Sequence, residues 1–281
     1  KPLQESFKNG QHYSGIVNSS LVTRHSSLVT RHSSFVKMFL VIDLGNTNKK
    51  LAVFEKGRLK DFAILPDFNL QTLKSFLKEH PGITHCILSS VILHPESCIS
   101  FLKKNFFFIE LDEYTSLPLR NRYKTPESLG KDRLAAAVAG HHRFKNEPVL
   151  VVNAGSCITY DFINAGGEYL GGSISPGIQM RLRALHTFTG KLPLISGKNR
   201  AKLTGTTTAD SILSGVINGT LAEVEGIVTR YLQKHSNLRI ILSGGDLNYF
   251  DKRLKIRTFA VPNIVIEGLY LILELNAGLI K

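Results

Sequence analysis

The strongest constraint on the fold is a repetition. "FLVIDLGNTNKKLAVFEKG" (39–57) and "VLVVNAGSCITYDFINAGG" (149–167) each carry an apolar strand into a small polar turn containing glycine, then back into a second strand. At an offset of 110 residues the copies align without a gap, setting Asp43 opposite Asn153, Gly45 opposite Gly155 and Gly57 opposite Gly167. Each copy predicts a β-hairpin, and glycine in its turn lets backbone N–H groups approach a ligand. Two such hairpins can hold one polyphosphate between them. Strand-turn-strand units are common in mixed α/β chains, so neither copy alone says much. Together, with matched polar turns, they predict a duplicated domain.

From Met38 the pattern predicts strands over 39–43, 51–54 and 59–65, a helix over 70–79, a strand over 85–89, a helix over 95–104 and a strand over 106–109. The helix "DRLAAAVAGHHRF" then leads to strands near Val149, Ile158 and Tyr169, a helix after Pro176, a long helix over 207–233, the strand "RIILSGG" and two more helices. A three-strand meander followed by alternating helix and strand, done twice, describes the α/β architecture of duplicated ribonuclease-H-like domains found in actin, sugar kinases and the Hsp70 ATPase, with ATP in the interdomain cleft. The expected domains are 38–147 and 148–281. Residues 1–37 read differently: "SLVTRHS" occurs twice in succession (20–26 and 27–33) with no amphipathic pattern, directly ahead of Met38. The expectation is a disordered leader outside the fold, from a misplaced start or an appended segment; a targeting or regulatory tail is the alternative.

Composition narrows the class. The chain has 281 residues, 43% hydrophobic and 20% charged, as in soluble globular proteins of one or two domains. Cys86, Cys98 and Cys157 form neither a Cys-x-x-Cys pair nor an even set, which favours a reducing cytoplasm over secretion. The apolar stretch "IVIEGLYLILELNAGLI" (264–280) places Glu267 and Glu274 on one helical face, so it reads as a packed amphipathic helix and no membrane partner is expected. Four of the 13 net positive charges fall in residues 1–37. The remaining basic body suits ATP and acidic metabolites as well as nucleic acid; without a helix-turn-helix or an aromatic-interleaved basic motif, nucleic acid is not expected. His141 and His142, adjacent on a helix, point about 100° apart and cannot share a ligand face. "FFF" (106–108) reads as a buried strand.

Seven blocks occur in order: "DLGNTNKK" (43–50), "YKTPESLGKDR" (123–133), "NAGSCITYD" (153–161), "GGSISPGIQMRLRAL" (171–185), "KLP" (191–193), "GTTTADSILSG" (205–215) and "LSGGD" (242–246). In this set, from about Met38 onward, the chain resembles the type III pantothenate kinases. The resemblance implies ATP-dependent phosphorylation of pantothenate, the first step of coenzyme A synthesis, by a cytoplasmic, magnesium-using homodimer. Two other classes stay open: a regulatory or nucleic-acid-binding protein on the same fold without turnover, and a kinase of that fold acting on a sugar or acetate. The tract 123–133 argues against both.

The blocks also have readings of their own. Asp43, Leu44, Gly45, Asn46, Thr47, Asn48, Lys49 and Lys50 offer N–H, amide, hydroxyl and ammonium donors to phosphate oxygens, and Asp43 can hold a water of Mg²⁺. A solvated hairpin turn is the plainer account. The resemblance makes this the first phosphate loop, with Gly155 and Ser156 in the second; Ser156 stands where the family usually has threonine and keeps the hydroxyl. The glycines of "LSGGD" can admit an adenine beside the backbone. Phosphoryl transfer to an alcohol needs a carboxylate at the attacking hydroxyl and a cation nearby, which Asp132 and Arg133 supply. Asp132 also suits a helix N-terminus, a compatible role. By resemblance Asp132 is the general base, Gly130, Lys131 and Arg133 hold the substrate, Tyr123 covers it and Thr208 contacts it; a helix N-cap is the alternative for Thr208. One position departs from the family. Where its second hairpin begins with an aspartate that binds K⁺ or NH₄⁺, this chain has Asn153, which keeps an acceptor oxygen and loses the charge, so dependence on a monovalent cation is in doubt.

Overall fold

A computed structural model describes residues 37–197 and 201–279, so the leader reading lies, but for Lys37, outside the described residues. Five strands, β1 (Met38–Leu44), β2 (Lys49–Glu55), β3 (Arg58–Leu65), β4 (Ile83–Ser90) and β5 (Phe107–Glu110), form a first sheet with α1 (Leu70–Glu79) and α2 (Glu96–Asn105) in its connections. The rest of the chain runs β6 (Arg120–Asn121), α3 (Lys131–Arg143), β7 (Val149–Ala154), β8 (Cys157–Ile163), β9 (Glu168–Pro176), α4 (Ile178–Thr187), α5 (Thr208–Lys234), β10 (Arg239–Ser243), α6 (Leu247–Asp251), β11 (Phe259–Ala260) and α7 (Ile264–Asn276). The first sheet has the order β3-β2-β1-β4-β5 and the second β11-β10-β7-β8-β9-β6. In each, the leading strand pairs antiparallel with its hairpin partner and parallel with a strand supplied by a later crossover: β1 with β2 and β4, β7 with β8 and β10. The duplication expected from the two hairpins is therefore a duplication of whole sheets.

Alternation along the leading strands decides what each face meets. Leu40, Ile42 and Leu44 turn to an outer core with Leu73, Phe76, Ile99 and Leu102 of α1 and α2. Leu150, Val152 and Ala154 turn to a second outer core with Ile178 and Leu182 of α4 and Val216 and Val224 of α5. The residues between them, Phe39 and Val41 in one sheet and Val149 and Val151 in the other, share a single inner core with α3 and α7. Small residues make that layer tight. A Cβ on Gly268 of α7 would lie 1.8 Å from the carbonyl oxygen of Ala135 in α3, so the two backbones touch. Among the described residues α5 alone is long and apolar enough to cross a membrane; its Ile212, Ile217 and Val228 pack in the second outer core.

The ungapped alignment of the hairpins hides a slip. Asp43 faces Lys50 across the first hairpin, but Asn153 faces Thr159 across the second. The second turn is one residue shorter and the turn after it one longer, which restores the offset at Gly57 and Gly167, both at positive φ (77° and 72°). A one-residue slip reverses the face a side chain takes. It sets Asp161 opposite Val151, on the inner face, where the first sheet has Ala52 opposite Val41. The reading of "FFF" as a buried strand also needs correction: β5 is the edge strand of its sheet and Phe107 is 45% exposed. Lacking a neighbour on one side, it leaves Phe108 only partly covered, as Phe106 is at the C-cap of α2.

Candidate active site

The turns of the two hairpins meet. Thr47 Oγ1 and Ser156 Oγ lie 2.9 Å apart, a hydrogen bond across 109 residues of chain. Gly45 closes the first turn by donating its N–H to the Asn48 carbonyl at 3.0 Å, leaving Asn46, Thr47 and Asn48 exposed and Lys49 and Lys50 half-buried. Leu44 is fully buried in the outer core, so it offers the turn only backbone. The second turn is closed by Gly155, whose N–H donates to the Cys157 carbonyl at 2.9 Å. Two close approaches fix it from below. A Cβ on Gly177, the N-cap of α4, would lie 2.0 Å from the Gly155 oxygen, and one on Gly244, at φ 97°, would lie 2.1 Å from the Ala154 oxygen. Only glycine fits at either place, and so the "LSGGD" turn after β10 and the start of α4 both abut the second hairpin.

The inner faces of β1 and β7 end in polar groups. Asp43 is buried and Lys50 Nζ stands 3.5 Å from its Oδ2. Burial pushes the Asp43 carboxyl above the usual carboxylate range; Lys50 pulls it down and the nearby charge of Asp132 pushes it up. Asp43 pairs in register with Ser89 on β4, whose buried hydroxyl has no partner among the described residues. Asn153 is half-buried at the matching place on β7, in register with Thr159 on β8 and Ser243 on β10. Among the register partners on the paired strands, charge thus gathers at the first hairpin and neutral groups at the second.

Asp132 and Arg133 sit in the first turn of α3, where an acidic side chain also interacts well with the helix dipole. Gly130 is the N-cap, and a Cβ there would come 2.8 Å from Asp132 Oδ1, so the carboxylate folds back over it. Lys131 is half-buried beside it. Arg133 is buried: its Nε donates to Asp161 Oδ1 at 2.9 Å, and Nη2 stands 2.7 Å from the same oxygen. Tyr123 lies near, its ring centroid 6.0 Å from the Arg133 Cζ, and a Cβ on Gly171 would meet that ring at 3.1 Å. The chain therefore brings Tyr123, Gly130, Lys131, Asp132 and Arg133 together, and puts Asp132 within electrostatic reach of Asp43. Thr208 is exposed at the start of α5, and no hydrogen bond links it to this group among the described residues. The N-cap of α5 is its neighbour Thr207, which accepts the Asp210 N–H at 3.1 Å, so capping does not occupy Thr208.

A family model for type III pantothenate kinases matches residues 39–230. A type III pantothenate kinase of Christiangramia forsetii is 43% identical over 85% of this chain and 99% of its own length. One of Bacteroides fragilis is 40% identical over 86% and 99%. The chain belongs to the type III pantothenate kinase family. Among solved structures, a Campylobacter jejuni protein described as a Baf family transcriptional activator superposes with a TM-score of 0.50 at 23% identity, covering 85% of this chain and 99% of that one, a likeness of fold alone.

Membership in the pantothenate kinase family covers the blocks that sequence reading singled out, but not every polar group in the site. Asp161, Tyr169 and Ser89 went unassigned. For Asp161 a signal was present: a charged residue in the middle of the strand "CITYDFI" is a buried charge that needs a partner.

Proposed function

We propose that this chain transfers the γ-phosphoryl group of ATP to the primary hydroxyl of pantothenate, opening coenzyme A synthesis. The observation that carries the reading is the contact of the two hairpin turns through Thr47 and Ser156, with Asp132 close enough to Asp43 to perturb it. One polyphosphate can then lie across both turns while the acceptor hydroxyl is held at the start of α3. Asp132 takes the hydroxyl proton as the oxygen attacks the γ-phosphorus; the bond to the leaving oxygen of ADP breaks, and ADP, phosphopantothenate and a proton on Asp132 result. Lys50, Lys49 and the turn N–H groups receive the phosphate charge, with "LSGGD" beside the adenine. Tyr123, Gly130, Lys131, Arg133 and Thr208 orient pantothenate.

A divalent ion fits the charges present. Asp43 is a buried carboxylate within electrostatic reach of a second, Asp132, with Lys50 its one ion-pair partner among the described residues. Asp43 would hold, through water, a Mg²⁺ that arrives with the nucleotide, and the ion would supply neutralisation of phosphate charge. Asn153, among neutral Thr159 and Ser243, favours weak dependence on K⁺ or NH₄⁺. The division at 147/148, the cytoplasmic location and the homodimer belong to the same reading. Large apolar side chains exposed on β9 and α4, Leu170 (49%), Ile174 (61%) and Met180 (44%), support a dimer, which light scattering tests. Purified protein incubated with ATP, Mg²⁺ and pantothenate yields phosphopantothenate by mass spectrometry; transfer to sugars or acetate in preference to pantothenate overturns the reading.

A further inference from the structure

Arg133 is held from one side by a buried cluster to which the family blocks, although "NAGSCITYD" includes its Thr159 and Asp161, assign no role. Asp161, fully buried on β8, receives the Arg133 Nε at 2.9 Å and the Tyr169 hydroxyl at 2.8 Å on Oδ1, and the Thr159 hydroxyl at 3.0 Å on Oδ2. Nη2 of Arg133 is drawn to the same Oδ1, but off the line of an N–H bond, and its donors are left without an acceptor. A paired guanidinium ordinarily spends both nitrogens of its fork on the two oxygens of a carboxylate. Here Thr159 holds the second oxygen, so the fork does not close. A buried arginine whose fork is not closed by its carboxylate keeps hydrogen-bonding capacity beyond that pair.

The same cluster sets Tyr123. Its ring leans on the backbone of Gly171, two residues beyond Tyr169 on β9, and lies 6.1 Å from the Tyr169 ring. Both residues that the active-site reading places over pantothenate on this side are therefore fixed by β8 and β9, strands of the second sheet, although they belong to α3 and the segment before it. We propose that Asp161, supported by Tyr169 and Thr159, is a positioning residue for the acceptor: it fixes the Arg133 guanidinium in the place from which Arg133 meets an oxygen of pantothenate. The inference rests on the pantothenate kinase reading. Asp161 touches no reacting atom in this role. Neutralising it leaves Arg133 charged but unheld, and a misplacement of about 1 Å costs on the order of 10²-fold in such sites.

Steady-state kinetics with each substrate varied test this on Asp161→Asn, Tyr169→Phe and Thr159→Val. Asp161→Asn raises KM for pantothenate about 10- to 100-fold with KM for ATP within about 2-fold of the parent. Tyr169→Phe, which removes one bond to the oxygen that holds Arg133, raises it about 3- to 10-fold, and Thr159→Val less. In an Arg133→Lys background the added effect of Asp161→Asn largely disappears, because the two act as one unit. If Asp161→Asn does not fold, Tyr169→Phe decides: a selective rise in pantothenate KM supports the role, and a parental KM overturns it. Equal losses for both substrates, or effects that add fully to Arg133→Lys, overturn it too. A parent protein that does not phosphorylate pantothenate overturns both readings; an active parent whose variants keep the parental pantothenate KM overturns the positioning role alone.

Discussion

The two hairpins have the same topology and different chemistry. At the end of β1 stand Asp43, Lys50 and Ser89; at the matching end of β7 stand Asn153, Thr159 and Ser243. One end carries a buried carboxylate and an ammonium; the other carries an amide and two hydroxyls on its paired strands, with buried Asp246 of the turn after β10 donating its N–H to the Ala154 carbonyl. Two residues further back on the return strand the contrast reverses: the second sheet buries Asp161 where the first buries Ala52. Duplication supplied one frame twice, and the copies then divided the work. In the proposed function the first sheet's end handles phosphate charge and the second holds its turn against the nucleotide; the second sheet also anchors Arg133. A carboxylate at either place needs a cationic partner, which Lys50 supplies to Asp43 and Arg133 to Asp161.

The largest effect falls between the copies, on α3. Asp132→Asn keeps size and hydrogen bonding but cannot take a proton, so kcat drops about 10²- to 10⁴-fold with KM for ATP nearly unchanged. Turnover within about 2-fold of the parent overturns the base assignment.

Next comes the variant that makes the first hairpin resemble the second. Asp43→Asn lowers kcat/KM for ATP about 10²-fold, the usual scale for one electrostatic contact in a preorganised site. Its effect on stability runs the other way. Because burial raises the Asp43 pKa above its usual 3.8, the folded protein binds more protons than the unfolded one in the window between the two values. The contribution of Asp43 to stability is therefore most favourable below that window and declines as pH rises through it. Asp43→Asn removes this decline: its melting temperature relative to the parent improves from pH 4 to pH 7 while activity is lost. A difference that is flat or opposite in sign refutes the account of a buried, strained carboxylate.

The reverse conversion has a smaller effect. Asn153→Asp restores charge at the second hairpin, where Thr159 and Ser243 offer no cation. Lys50 is engaged with Asp43 across the first hairpin. The variant binds K⁺ more tightly and lowers the K⁺ concentration for half-maximal activity, titrated at constant ionic strength. A parent that is inactive until K⁺ is added overturns the proposal that Asn153 relaxes this dependence.

Much of this frame was legible in the sequence. The apolar alternation of 39–44 and 149–154 and the glycine-bearing turns announce two hairpins, and the helix boundaries at 70–79 coincide with an Asn69 capping box. What stayed hidden depends on one residue of register. Aligned without a gap, Asp161 falls opposite Leu51, an outer-core residue, and looks like a site for solvent or error; paired as the strands are, it faces inward to Arg133. Compensating length changes in two turns leave no trace in a linear comparison. The Thr207 cap was likewise beyond reach, since three consecutive threonines (206–208) offer equal claims until backbone geometry chooses.

The smallest effect concerns the point where the copies touch. Thr47 and Ser156 are both exposed, so their hydrogen bond competes with water and contributes little to stability. Ser156→Ala and Thr47→Val should each leave the melting temperature almost unmoved. Their value lies in separating two accounts of the contact. If the hydroxyls only bridge the turns when no nucleotide is bound, removing either one costs nothing once ATP occupies the cleft, and KM for ATP stays within about 2-fold. If both hydroxyls turn from each other to the phosphates, each loss weakens ATP binding several-fold, on the scale of hydrogen bonds to a charged group. The second account also makes the two losses additive, because the hydroxyls then serve different phosphate oxygens and no longer share a partner. We expect additive losses in KM for ATP with little change in kcat. A double variant no worse than either single one means that the hydroxyls serve each other in the working enzyme as well, and that the two hairpins grip phosphate through backbone N–H groups and lysine.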